Sequence, residues 1–106
     1  AIISSHLQLK GRLTIQVLKA EPDNEGFYIT LGFKNNTDMP LRLINLKQAD
    51  ALIAIDQDGY ANGLSSSPGN PNELTVPPKA AIRQKFSFEG PIKAVTTVRV
   101  WGQEYK

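Results

Sequence analysis

Residues 26–46 read GFYITLGFKNNTDMPLRLINL, and this stretch decides the fold of the chain. In its first half the apolar residues occupy every second position, which is the pattern of a strand with one buried face. These apolar residues are Phe27, Ile29, Leu31 and Phe33. The polar run NNTD then interrupts the alternation, because Asn and Asp favour turns. The stretch therefore predicts a central strand, a turn and a second strand.

Stretches on both sides show the same alternation. Residues 7–18 predict a long first strand that is kinked or split at Gly11, because an interior glycine often marks a bulge. Residues 80–89 and 95–101 predict the last two strands of the chain. No stretch has helical periodicity. Several short strands separated by turn signals predict an all-β fold, an immunoglobulin-like antiparallel β-sandwich of about seven strands.

The middle of the chain is less regular. In residues 41–47 the apolar positions change parity, which predicts a bulge or a strand that leaves one sheet for the other. Residues 50–56 predict a short strand that ends in a turn. Residues 62–78 read NGLSSSPGNPNELTVPP, and this content of Gly, Ser, Asn and Pro predicts one long loop.

The length of 106 residues predicts a single domain, residues 1–106. Because 41% of the residues are hydrophobic, the chain can bury a core without a metal or a disulfide, and it contains no cysteine. The alternation predicts which residues form the core. They are Ile15, Val17, Phe27, Ile29, Leu31, Phe33, Phe86, Phe88, Val98 and Val100.

The formal net charge is +2, and the basic residues are spread along the chain rather than clustered as in a nucleic-acid-binding protein. We expect no specific nucleic-acid partner, no cofactor and no metal. No apolar run approaches the roughly 20 residues that cross a bilayer. The chain begins at Ala1, which is expected equally of a processed secreted protein and of a domain taken from a longer one.

Large aromatic residues are the first candidates for binding, because aromatic residues and Arg are enriched at interaction hot spots. Trp101 has the same outward parity as Arg99, and Tyr28 has the same outward parity as Lys34. Tyr105 is a third aromatic residue of this kind. The alternative for Trp101 is that it covers one end of the core.

Basic residues are the second candidates. Arg83, Lys85 and Arg99 share the outward parity of the last two predicted strands. If these strands pair, the three side chains form a small basic patch that binds an anionic partner, and such binding weakens with salt. The alternative is a solvated surface with no partner.

Acidic residues near residue 56 suggest other chemistry. Asp56 and Asp58 resemble the start of a calcium loop, but its twelfth position is Ser67 rather than the Glu such loops require. A hairpin turn is the alternative. Asp50, Asp56, Asp58 and Glu73 are also candidates for the carboxylate pair of a hydrolase, which needs a separation of roughly 5–9.5 Å.

Two further features carry little weight. His6 is the only histidine, and no Ser, Asp or Glu lies near it in a recognisable catalytic motif. Residues 35–37 read NNT and match the N-glycosylation pattern, which is frequent by chance. We therefore predict no catalytic residue.

Four segments together resemble a family of small bacterial extracytoplasmic immunoglobulin-like domains. They read NNTDMPL at residues 35–41, DQDG at 56–59, LTVPPK at 74–79 and FSFEGP at 86–91. The similarity covers about three-quarters of the chain. Lys79 stands where the family usually has Gly, and all the shared motifs are turns and strand ends.

The resemblance implies a periplasmic, secreted or lipoprotein-borne β-sandwich with no catalytic residues to carry over. The first functional hypothesis is a non-catalytic module that binds another envelope or extracellular protein through loops or an exposed strand edge. The alternative is a module that binds carbohydrate or an anionic polymer through exposed aromatic and basic residues. A hydrolase that uses the acidic residues of the loops is a third hypothesis.

Overall fold

The computed structural model describes residues 2–3, 10–22, 26–48, 51–90, 95–101 and 103–105. In these residues the protein is all-β, with ten strands and no helix. Five of the strands have only two or three residues. The strands are β1 (Ile2–Ile3), β2 (Leu13–Pro22), β3 (Gly26–Asn35), β4 (Leu41–Leu43), β5 (Leu52–Asp56), β6 (Ala61–Gly63), β7 (Leu74–Val76), β8 (Ala81–Glu89), β9 (Val95–Val100) and β10 (Gln103–Tyr105).

The strands form three sheets. Sheet I has the order β2-β3-β8, sheet II the order β10-β9-β5-β6, and sheet III the order β1-β4-β7. Neighbouring strands in the described residues run antiparallel, except that β1 runs parallel to β4. The predicted all-β class with antiparallel sheets is confirmed, and the immunoglobulin-like topology stays a prediction.

Sheet I contains the predicted central strand. β3 pairs with β2 on one side and with β8 on the other over most of its length. Phe27, Ile29, Leu31 and Phe33 are almost completely buried, because alternate residues of a strand face opposite sides of the sheet. Phe27 stacks on Phe88 of β8, with 5.4 Å between the ring centroids.

The chain turns at Gly11, where the predicted first strand was expected to be kinked or split. Gly11 has a φ of +78°, a conformation that glycine adopts without strain, and it lies in a turn before β2 begins at Leu13. A second irregularity, which was not predicted, lies inside β2, where the register with β3 shifts between Val17 and Lys19. Leu18 is thus the extra residue of a β-bulge. The beginning of the predicted strand lies outside the described residues.

Two short strands lie in the segment that was predicted to be one long loop. β6 pairs with β5, and β7 pairs with β4. The prediction was wrong here because main-chain pairing with other strands creates these two strands, while the local composition favours turns. The part between β6 and β7 and the two residues after β7 are irregular.

The change of parity after β4 marks a passage between sheets. Leu41, Leu43 and Leu46 are buried, and Asn45 has a φ of +59°, which Asn tolerates better than most residues. The chain turns there and continues into β5 of sheet II. The predicted move from one sheet to another is therefore present.

One hydrophobic core joins the three sheets. Of the ten residues predicted to form it, nine are buried and Val17 packs partly buried against them. Further core residues come from β2, β4, β5, β7 and the turn after β4, namely Leu13, Leu41, Leu43, Leu46, Leu52, Ala54 and Val76. A core shared between sheets I and II is consistent with a β-sandwich.

Candidate functional site

The side of sheet I that faces away from the core carries several cations. The register brings them together, since Thr30 lies opposite both Lys19 and Lys85, and Gly32 lies opposite Arg83. We call this surface the basic face. It consists of Thr14, Gln16, Leu18, Lys19, Glu21, Tyr28, Thr30, Gly32, Lys34, Ala81, Arg83, Lys85 and Ser87.

Three of the five predicted binding residues lie on the basic face, namely Tyr28, Arg83 and Lys85. The Lys85 ammonium lies 5.2 Å from the centroid of the Tyr28 ring, which is a cation–π contact. Lys34, which was not among the predicted binding residues, is also exposed on this surface. Within the described part of the chain, Lys34, Arg83 and Lys85 form no ion pair with a carboxylate. Their charges are therefore available to a ligand.

The basic face has an acidic end. Lys19 Nζ lies 3.5 Å from Glu21 Oε1, so this pair is close to neutral. Glu89, at the end of β8 opposite Gly26, adds a negative charge on the same side of the sheet. The uncompensated positive charge is therefore concentrated in the half of the face that contains Arg83.

A groove of about 650 Å³ crosses the basic face at Gly32. It forms because Gly32 has no side chain and because the bulge turns Leu18 outward, where 45% of Leu18 is exposed. A Cβ at Gly32 would lie 3.2 Å from Leu18 Cδ1, so the leucine partly covers the glycine. Lys34 and Arg83 also line the groove. It thus combines an apolar wall with two cations.

Among the described residues, no strand pairs with the edge of β8 opposite to β3 over residues 81–85, and we call this stretch the open edge. The main-chain groups of Ser87 point away from β3, because its N–H and C=O bond to residues outside sheet I. Main-chain groups alternate in direction along a strand, so those of Arg83 and Lys85 also point outward. Among the described residues, their only partner on this side is the Gln84 side chain, which donates to Lys85 O at 2.9 Å.

The other end of the same edge is closed by the loop between β6 and β7. Ser65 N donates to Ser87 O at 2.9 Å. Asn70 Oδ1 accepts the N–H of Ser87 at 2.8 Å, and Asn70 Nδ2 donates to Ser87 O at 3.0 Å. Leu64 adds an isolated bridge to Phe88. The open edge therefore ends at Ser87.

Arg99 lies apart from the other predicted basic residues. β8 and β9 belong to different sheets, so the basic patch that their pairing would create does not form. Arg99 is half-buried on β9 and lies opposite Ile53 of β5. Parity along each strand was predicted correctly, but parity contains no information about which strands are neighbours.

Trp101 is not an outward residue of a strand. β9 ends at Val100, and Trp101 follows with a φ of +48° in a turn. Its N–H donates to Ala51 O at 2.8 Å, and its side chain packs half-buried against the core. The outward position predicted from alternation was wrong because the alternation stops where the strand stops, and the side chain packs against the core, as the alternative reading of the sequence expected. A binding role for Arg99 or Trp101 stays a prediction.

The candidate carboxylates stabilise turns and strand contacts. Asp56 is buried, and its Oδ1 accepts the N–H groups of Asp58 at 2.9 Å and Tyr60 at 3.0 Å, which closes the hairpin turn between β5 and β6. Glu73 accepts a hydrogen bond from Arg42, and this bond raises the pKa of the Arg42 guanidinium above its usual value. The structure therefore gives Asp56 and Glu73 separate partners.

His6, Asp50 and the side chain of Tyr105 lie outside the described residues. In the part of the chain that is described, no three His, Asp or Glu side chains form a group suited to a metal ion. Within the same residues, no helix has the length and apolar character needed to cross a membrane. Comparison with known proteins gives no match to a family model, a curated sequence or a solved structure.

Sequence reasoning did not identify the groove or the open edge. Lys34 was recognised only as a residue with the parity of Tyr28, and Gly32 only as part of the alternation. The interior glycine is the signal that could have indicated the groove, because a glycine inside a strand often marks a close approach of a ligand. The open edge depends on the order of strands in the sheet, for which the sequence has no local signal.

Proposed function

We propose that the domain is a non-catalytic interaction module of a bacterial envelope or secreted protein, and that it binds another protein through the open edge of β8. The proposal includes an immunoglobulin-like sandwich and an extracytoplasmic location, both expected from the resemblance of the turn motifs. The single observation that supports it best is the outward main chain of Arg83 and Lys85.

An exposed strand edge binds an extended segment by adding it to the sheet. The main-chain groups of the edge give affinity, and the side chains next to the added strand give specificity. Proteins usually cover or interrupt such an edge, because an open one also promotes aggregation. This chain covers the edge at Ser87 with Asn70 and leaves residues 81–85 uncovered within the described structure.

A matched pair of variants tests the proposal. Arg83→Ala removes the side chain and keeps the outward N–H, while Arg83→Pro removes both, and proline is tolerated at such edge positions. The wild type and both variants are screened against a library of displayed peptides. We expect selected peptides that bind the alanine variant at least about fivefold better than the proline variant, since one main-chain hydrogen bond contributes about 1 kcal/mol.

Three outcomes would contradict the proposal. Peptides or partner proteins that bind the two Arg83 variants equally would show that the edge is not used. Turnover of a substrate by the wild-type domain would show that the module is an enzyme. Cell fractionation that places the natural protein in the cytoplasm would contradict the proposed location.

The alternative function is binding of an anionic polymer, such as an acidic glycan, across the basic face. The observation that favours it is that Lys34 and Arg83 line the groove, while Lys85 adds a third cation on the same face. Binding to a glycan array should then weaken steeply with salt and should be equal in Arg83→Ala and Arg83→Pro. Binding that is insensitive to salt would contradict this alternative.

A further inference from the structure

We propose that the segment accepted by β8 is acidic, with Asp or Glu at alternate positions of an extended stretch of the partner protein. This inference rests on the proposed function, because it assumes that the segment adds to sheet I as a strand. It specifies the chemical nature of the partner.

Arg83 and Lys85 connect the edge with the basic face. Their main-chain groups point to the open edge, and their side chains are exposed on the basic face. In a strand added at this edge, every second side chain would lie on the basic face. The Cβ atom of each such side chain would lie about 4.5–5.5 Å from the Cβ atom of its neighbour on β8. Opposite charges at such positions attract and like charges repel, so the added strand should present acids there.

Among the described residues, the cations at these positions have no carboxylate partner on their own sheet, although Lys85 also contacts the Tyr28 ring. Arg83 lies opposite Gly32, which has no side chain, and Lys85 lies opposite the uncharged Thr30. Lys34 adds a third positive charge diagonally from Arg83. No described carboxylate forms an ion pair with any of the three. The field next to the open edge is therefore positive.

The acidic end of the face limits the length of the segment. Beyond Lys85 the edge is closed at Ser87 by Ser65 and Asn70. Glu89 follows on the same face and would repel a further acid. The matching segment therefore has about five residues opposite 81–85, with acids facing Arg83 and Lys85.

The remaining side chains of the segment would extend the core side of the sheet. Ile82 and Gln84 face that side and are half-buried, and Ile82 packs against the core. Apolar residues next to Ile82 would gain burial. The preferred segment thus alternates acidic and apolar residues.

Labelled nine-residue peptides test the inference by fluorescence anisotropy at two salt concentrations. One peptide alternates Glu with Val, the second alternates Lys with Val, and the third has the first peptide's composition with its acids contiguous. We expect the alternating acidic peptide to bind the wild type more than tenfold better than either other peptide. Its affinity should fall several-fold from 50 to 300 mM salt.

Charge reversal gives the matched control. The double variant Arg83→Glu/Lys85→Glu should prefer the alternating lysine peptide. The double variant Lys10→Glu/Lys47→Glu makes the same change in net charge outside the basic face and should keep the wild-type preference. Both variants should fold, since all four side chains are exposed. Circular dichroism and thermal unfolding check this.

The possible results separate the two proposals. Equal binding of the acidic and basic alternating peptides, lost in Arg83→Pro but not in Arg83→Ala, supports the proposed function and overturns this inference. If the alternating acidic peptide is preferred and binds Arg83→Pro as tightly as Arg83→Ala, strand addition is overturned. The inference is also overturned if no peptide binds. A concentration-dependent dimer that Arg83→Pro abolishes would overturn it too, because a second copy of the chain would then occupy the edge.

Discussion

The side-chain amide of Asn70 pairs with both main-chain polar groups of Ser87, as the backbone of a neighbouring strand would. Its Oδ1 accepts the Ser87 N–H at 2.8 Å, and its Nδ2 donates to the Ser87 carbonyl at 3.0 Å. Asn70 is 4% exposed although it belongs to an irregular loop. Together with Ser65, the Asn70 side chain therefore ends the open edge of β8 and attaches the loop to sheet I.

Replacing Asn70 should destabilise the domain. Asn70→Asp keeps an acceptor for the Ser87 N–H but places a carboxylate oxygen against the Ser87 carbonyl, which has no proton to donate. We expect a loss of about 2–3 kcal/mol in the free energy of unfolding, measured with urea. Asn72→Asp is the matched control. Asn72 is exposed and its Oδ1 only accepts the Lys47 N–H, so this change should cost less than about 1 kcal/mol. Equal losses would contradict the role of Asn70.

Two glycines of β3 should respond in opposite ways to alanine. A Cβ at Gly26 would collide with the main-chain oxygen of Phe88, while the atoms nearest to a Cβ at Gly32 would belong to the exposed side chain of Leu18. Gly26→Ala should cost about 2–3 kcal/mol. Gly32→Ala should stabilise by up to about 0.5–1 kcal/mol, because alanine loses less backbone entropy on folding. Urea unfolding measures both, and a destabilised Gly32→Ala would show that Leu18 does not move.

The turn before β8 should tolerate glycine better than alanine. Lys79 has a φ of +55°, and Ala80 N donates to Pro77 O at 3.3 Å, as in a turn that requires a positive φ at its third residue. Both variants lose the exposed ion pair with Asp38, so their comparison isolates the effect of the backbone conformation. Because a left-handed φ costs alanine more than glycine, Lys79→Gly should be about 1 kcal/mol more stable than Lys79→Ala. Equal thermal stabilities of the two variants would contradict the strained backbone.

Trp101 should show intermediate access to solvent. It is the only tryptophan, so the intrinsic fluorescence excited at 295 nm has a single source. Because the ring packs half-buried against the core, acrylamide should quench it less than free tryptophan and more than a fully buried ring. Quenching equal to that of free tryptophan would place the ring in solvent and restore the outward position expected from the sequence.

The core could be predicted because its information is local. In β3 and β8 the alternation of large apolar residues determines which side of the strand is buried, and nine of ten predicted core residues are buried as expected. The same parity argument correctly made Tyr28, Arg83 and Lys85 outward residues of their strands, and the pairing of β3 with β8 then brings them onto one surface.

The site could not be completed because its remaining parts depend on contacts between distant residues. Arg99 has the right parity, but β9 is paired in another sheet. Asn70 looks like an ordinary loop residue until Ser87, seventeen positions away, is placed beside it. The outward position of Trp101 was predicted wrongly for a different reason. The strand and its alternation end at Val100, and Trp101 follows in a turn with a φ of +48°. Strand order and strand ends are properties of the whole fold.

The bulge in β2 has a consequence for how related chains should vary in length. Val17 opposite Leu31 and Lys19 opposite Thr30 are consecutive pairs of the ladder, so Leu18 alone is the extra residue. A gene that lost this codon would keep every other pair of sheet I. A codon lost from the middle of β3, which is paired on both sides, would turn half of that strand to the wrong face. Among descendants of a common ancestor, we expect single-codon deletions to survive at Leu18 and to be absent from β3.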